Sequence, residues 1–216
     1  VDSITTGDYN VGVGDGALTA TTSGAQNTAS GVNALYSNTT GIQNTASGYN
    51  ALHLNTTGSY NTATGRAALY SNTTGIQNTA SGYEALAYNT TGSYNTASGA
   101  YALYSNTTGT ENTAIGHQSL YNNTTGDNNT AVGYASVKAV TTGTENIGIG
   151  HQAGDSITTC YKNILIGDNT YNGAVDGNYR ITIGSGLQSA GGNTVTFGKS
   201  TGSDRVYNVY TSNATW

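Results

Sequence analysis

The sequence predicts an all-β chain, a repetitive parallel β-roll or β-solenoid with 17-residue coils, and three observations lead there. Glycines recur at 7, 24, 41, 58, 75, 92, 109, 126 and 143, always 17 residues apart. A second glycine column runs through 14, 31, 48, 65, 82, 99, 116, 133, 150, 167 and 184 at the same spacing, preceded by an asparagine column from Asn10 to Asn163. Between these columns lie only short stretches such as residues 112–116, too brief for a helix and suited to a short strand. A fixed period of this kind is the signature of stacked repeats, in which each unit buries its inner face against its neighbours.

Composition agrees. Leu, Ile, Val and Phe total 33 of 216 residues, about 15%, which for a highly charged chain would indicate disorder. Here the net charge is only −5, proline is absent and tyrosines number 17, so a disordered linker is a poor fit and a glycine-, Asn- and Thr-rich rod a better one. The scattered six Lys and Arg form no basic stripe for nucleic acid, and no run of 18 apolar residues would cross a membrane. One cysteine, Cys160, excludes an internal disulfide framework and occupies a slot of the first glycine column as a tolerated substitution. With no methionine and no signal-peptide pattern, the chain is expected to be part of a longer polypeptide.

Taken in order, the repeat rod is expected over 1–198 in about twelve coils, with 199–216 a terminal strand or a transition to a following module. The first coil already holds the register. Coils two to six are nearly free of charge, Arg66 and Glu84 being the exceptions between Asp15 and Glu111, and residues 36–69 and 70–103 are close duplicates. From Asn112 onward the strands become more apolar, with Ile147 and Ile149, Ile164 and Ile166, Ile181 and Ile183 at alternate positions that share one face. Gly198 follows Gly184 by 14 residues, so the last coil shortens. The structural columns are represented by Gly41, Gly48, Asn44, Gly75, Gly82 and Asn78, the glycines expected where φ is positive and the asparagines as a ladder of side-chain amides. Stacked about 4.8 Å apart, the coils would make a rod roughly 55 Å long.

Two features predict oligomerisation. Each coil orders 17 residues around two alanines and one leucine, a thin core that burial of a second face between subunits would supplement. The early strands place Thr and Ser where the late ones place Ile and Val, with alanine between, so no single inside-outside parity explains both halves, whereas a strand packed on both faces would.

The late motifs NTAIGHQSL, NTAVGYASV, NIGIGHQAG and NILIGDN resemble the head repeats of YadA-type trimeric autotransporter adhesins, over roughly residues 7–198. That resemblance implies a left-handed parallel β-roll with three chains packed around an axis, although the 17-residue period is longer than that family's usual one. The phrasing NTTGxxNTAxGxxAL looks more like repeats of bacteriophage tail-fibre proteins, where a tract similar to TVTFGKSTGSDRVYNVYTSNATW leads into a self-cleaving chaperone that trimerises the fibre. It implies a homotrimer, intertwined or axially packed, located in the virion tail fibre, that meets a host cell-surface glycan or protein. The alternative is a bacterial cell-surface adhesin.

No catalytic or cofactor motif stands out. His117 and His151 share one slot two coils apart, about 10 Å, too far for one metal ion. The GVGDG at residues 12–16 lacks the GK[ST] ending of a phosphate loop. Tyr49, Tyr83 and Tyr134 follow the second glycine column and are candidate glycan or receptor contacts, with packing as the plainer role; Tyr36, Tyr70, Tyr104 and Tyr121 form a companion column. Asn38-Thr39-Thr40 and Asn55-Thr56-Thr57 match glycosylation sequons as a by-product of the repeat. An ice-binding solenoid, which needs two outward threonine ranks on a flat face, is a further alternative that the irregular Tyr and Gln columns weaken.

Overall fold

The chain is described by a computed structural model over residues 6–171, 177–188, 194–199 and 206–209. Its strands are β1 (Val11–Val13), β2 (Thr28–Ser30), β3 (Thr45–Ser47), β4 (Thr62–Thr64), β5 (Thr79–Ser81), β6 (Thr96–Ser98), β7 (Thr113–Ile115), β8 (Thr130–Val132), β9 (Ile147–Ile149), β10 (Ile164–Ile166), β11 (Ile181–Ser185), β12 (Thr194–Lys199) and β13 (Val206–Val209). They lie in chain order in one sheet. β1 to β12 are parallel and step by one coil, Thr45 pairing with Thr62 and Thr62 with Thr79; β13 turns back antiparallel onto β12. The shortened coil pairs Gly184 with Gly198. Of the expected tail at 199–216, residues 200–205 and 210–216 lie outside the described residues. No helix occurs among the described residues, so the chain is a parallel β-solenoid.

Hydrogen bonds between coils continue well beyond the three-residue strands. In the coil that begins at Gly41, Gly48 and Asn50 donate back to Ser30 and Val32, while Leu52 and Leu54 donate forward to Ala68 and Tyr70. Two tight turns, Ala51 N–H to Gly48 O at 3.3 Å and Asn55 N–H to Leu52 O at 3.2 Å, fold the coil around its interior. That interior holds Ala46, Ala51 and Leu52, all fully buried, together with the amides of Asn44 and Asn55.

A single inside-outside parity runs through β2 to β11, which corrects the expectation that no one parity suits both halves. The central strand residue points inward, as Ala46, Ala114 and Leu165 do, and its two neighbours point outward. What changes along the rod is the outer face: Thr and Ser in β2 to β6, Ile and Val later.

The two glycine columns have different causes. Gly48 and its equivalents have φ near +130°, a conformation open to glycine. Gly41 and its equivalents lie outside the left-handed range; there a Cβ would collide with the carbonyl oxygen of the glycine one coil on, Gly58 in the case of Gly41. Positive φ, meanwhile, is carried by three other columns of ordinary residues, exemplified by Gln43 (54°), Asn50 (57°) and Leu52 (51°). Left-handed geometry costs an L-residue about 1–2 kcal/mol, and at Leu52 full burial and the bond to Ala68 O offset it. No such burial compensates Gln77, which is exposed at φ 54°. Gln77→Gly is therefore expected to raise stability by about 0.5–1 kcal/mol, net of glycine's greater unfolded-state entropy. A melting temperature that falls would contradict the strain assigned to this column.

Candidate functional site

Two asparagine ladders form the spine of the rod. In the first, Asn44 Oδ1 accepts from the backbone N–H of Asn61 at 3.0 Å and from Asn61 Nδ2 at 3.2 Å. Asn44 Nδ2 in turn donates to Asn27 Oδ1 at 3.1 Å and to Gly58 O at 2.8 Å. Asn78 repeats the pattern with Asn61, Asn95 and Gly92. The second ladder, absent from the sequence-based expectations, is made of the sequon asparagines: Asn55 Nδ2 donates to Asn38 Oδ1 at 2.8 Å and to Gly58 O at 2.9 Å. Gly58 O thus receives one amide from each ladder, which explains why the carbonyls of this column point inward and leave no room for a Cβ. Asn38 and Asn55 are fully buried, Asn55 Nδ2 making two donations and Asn38 donating to Gly41 O while its Oδ1 accepts from Asn55, so the folded chain offers neither as a glycan acceptor. The second ladder ends at Asn123, whose Oδ1 has no donor because Val140 fills the next slot. Cys160, also buried, keeps the role of the glycine it replaces, its carbonyl accepting Asn146 Nδ2 at 2.7 Å.

The outer surface beyond the Gly48 column carries the aromatic residues. Tyr49, Tyr83 and Tyr134 all stand exposed in one rank, but the structure does not bring them together. Arg66 lies between the first two, its guanidinium 5.8 Å from the Tyr49 ring and 5.2 Å from that of Tyr83, and donates to the Tyr83 hydroxyl at 2.7 Å. Both faces of Tyr134 are covered: His117 stacks on one at 5.4 Å and His151 on the other at 5.2 Å. The intervening ring is what separates the two histidines. His151 Nδ1 faces Asp168 Oδ1 at 3.0 Å, and among the described residues no cluster of three or more His, Cys, Asp or Glu is placed to hold a metal.

A parallel rank four residues further along each coil reads Tyr36, His53, Tyr70, Ala87, Tyr104, Tyr121. Its rings stack at 5.2 Å from Tyr36 to His53, 5.2 Å from His53 to Tyr70 and 5.0 Å from Tyr104 to Tyr121. At Ala87 the stack is interrupted, and a groove of about 340 Å³ opens there. Its rim carries the Arg66–Glu84 ion pair, 3.0 Å long. Tyr88 stands edge-on to Tyr104 with ring centroids 4.9 Å apart, and the contact between their hydroxyls at 3.4 Å pushes the Tyr104 phenol above its ordinary pKa. A hydrogen bond with Glu84 has the same effect on Tyr83.

These features define the class: a parallel β-solenoid with asparagine-laddered coils and an aromatic outer surface. Comparison with protein-family models, with curated proteins and with solved structures finds no match to this chain. Among the described residues no helix is long and apolar enough to cross a membrane.

Proposed function

We propose that this chain is a rigid fibre segment, a homotrimer of the bacteriophage tail-fibre kind that spaces and presents a host-adhesion end outside the cell. The observation that carries the reading is the outer strand face. Alanine, leucine and laddered asparagine fill the interior of the early coils, yet the outward strand positions of the late coils are apolar: Ile115, Ile149 and Phe197 are 43%, 40% and 45% exposed on one sheet. Val11 and Val13 repeat this at the other end. A row of exposed branched and aromatic side chains along a flat face marks a protein–protein interface, and three identical faces around an axis would cover it with closed symmetry. Backbone ladders continuous over the rod resist bending and proteolysis, and trivalent display raises avidity once one end engages a host glycan or protein.

Immunogold labelling with antibody against this chain tests the assignment: label on virion tail fibres is expected, and label on the bacterial surface would move the protein to the adhesin alternative, which uses the same roll. One observation favours a second reading. In β2 to β6 the outward residues are threonine at one position and, except at Thr64, serine at the other, which supplies one full threonine rank of the two that an ice-binding face requires. The Ile115, Val132 and Ile149 that replace the second rank from β7 onward limit that face to five coils. Thermal hysteresis in a freezing assay would support ice binding, and its absence would dismiss it.

A further inference from the structure

The duplicated blocks 36–69 and 70–103 differ at six of 34 positions, and the differences are not scattered. They pair Asn50 with Glu84, His53 with Ala87, Leu54 with Tyr88, Thr64 with Ser98, Arg66 with Ala100 and Ala67 with Tyr101. Five of those six pairs contribute a residue to the lining of the groove at Ala87; the conservative Thr64–Ser98 pair alone does not. Twenty-eight unchanged positions hold the coil, while the changed ones open one groove and furnish it. Arg66 and Glu84, the two charges of this otherwise uncharged stretch, meet at its rim.

The groove takes the place of one ring in the stack. In the first block His53 fills the corresponding slot, stacked 5.2 Å from Tyr36 below and 5.2 Å from Tyr70 above. In the second block Ala87 leaves Tyr70 and Tyr104 two coils apart, about 10 Å, with no ring of that rank between them. A flat ligand entering there meets the Tyr70 ring on one side and the perpendicular Tyr88–Tyr104 pair on the other, with the Arg66 guanidinium and Glu84 carboxylate at the mouth. Stacking aromatics with a charged donor and a charged acceptor set for neighbouring hydroxyls is the chemistry that recognises a pyranose.

We infer that this groove is a saccharide-binding site taking one pyranose unit of a glycan between Tyr70 and Tyr104, its vicinal hydroxyls bonded by Arg66 and Glu84. The site lies within one chain and needs no partner subunit; it rests on the host-adhesion reading only for where the glycan is displayed.

The test is an immobilised array of bacterial O-antigen and capsular oligosaccharides alongside animal glycans, probed with the native chain and with Ala87→His. The substitution installs the residue that the first block already accommodates in this slot, so the coil should fold, and an unchanged melting curve checks that it has. Binding to at least one glycan is expected, weakened about tenfold or more by Ala87→His and reduced by Arg66→Ala. An array without a bound glycan, or binding undiminished by Ala87→His, would overturn the site. Should Ala87→His fail to fold, Glu84→Asn, which likewise restores a residue of the first block, takes its place with the same two outcomes. Sedimentation of the same preparations separates the two proposals: a monomer that binds removes the trimer and keeps the groove, and a trimer that does not bind does the reverse.

Discussion

Gly82→Val is expected to destabilise the chain by about 3 to 5 kcal/mol, the sum of backbone strain and overpacking, and to lower the melting temperature by roughly 10 °C. Gly82 sits at φ +143°, where a β-branched residue is severely strained. Its Cβ would also lie 2.5 Å from Gly99 O and 2.6 Å from the carbonyl carbon, backbone atoms of the next coil that cannot move without breaking the ladder. Ser81→Val, one residue earlier and pointing outward from β5, serves as the control and is expected to stay within about 0.5 kcal/mol of the native chain. Equal effects at the two positions would contradict the register.

The second large effect belongs to the first ladder. Asn78→Leu removes the acceptor of the Asn95 backbone N–H (3.0 Å) and one of the two acceptors of Asn95 Nδ2 (3.2 Å), leaving the buried N–H without a partner and the amide with Gly109 O alone. An orphaned buried donor costs about 1–3 kcal/mol, so a loss of about 3 kcal/mol is expected from denaturant titration. Gly92 O is not orphaned, because Asn89 Nδ2 still reaches it at 2.8 Å. The same replacement at Asn123 strips no donor from the following coil, where Val140 stands, and is expected to cost about 1 kcal/mol. Asn78→Asp adds a pH signature. Burial raises that carboxyl's folded pKa above its unfolded value, so the folded state binds the extra proton and the variant should regain stability as the pH falls.

Much of this architecture is legible in the sequence because stacking places every 17th residue in one environment. The coil length, the two glycine columns, the strand between Asn44 and Gly48, and the asparagine ladder all follow from counting, and the coil shortened between Gly184 and Gly198 does too. What stays hidden depends on the direction a side chain points. The second ladder passes for sequons, since Asn38-Thr39-Thr40 reads as an exposed turn and nothing in its neighbours signals burial. Leu52 and its equivalents read as a strand or helix residue although they occupy the left-handed region, a choice imposed by the fold closing around them. The parity question is similar: Thr45 and Ile147 share an outward slot, and hydrophobicity alone places them on opposite sides.

The candidate surface is legible only in part. Tyr49, Tyr83 and Tyr134 can be picked out by spacing, but whether a ring face is free depends on the residues one coil above and below, and there Arg66, His117 and His151 occupy them. The signal for the groove was present as the six differences between two near-identical blocks. It gains meaning once stacking brings Arg66, Glu84 and Ala87 from adjacent coils to one place.

In the proposed homotrimer, the apolar outer strand face of each β-solenoid is covered by two further copies of the chain. Sedimentation equilibrium of the native chain measures that most directly. A single species of about three times the 22.0 kDa chain mass, reduced to the chain mass by Ile149→Asp with Ile166→Asp, is the predicted result. A native chain that sediments as a stable 22.0 kDa monomer would contradict it.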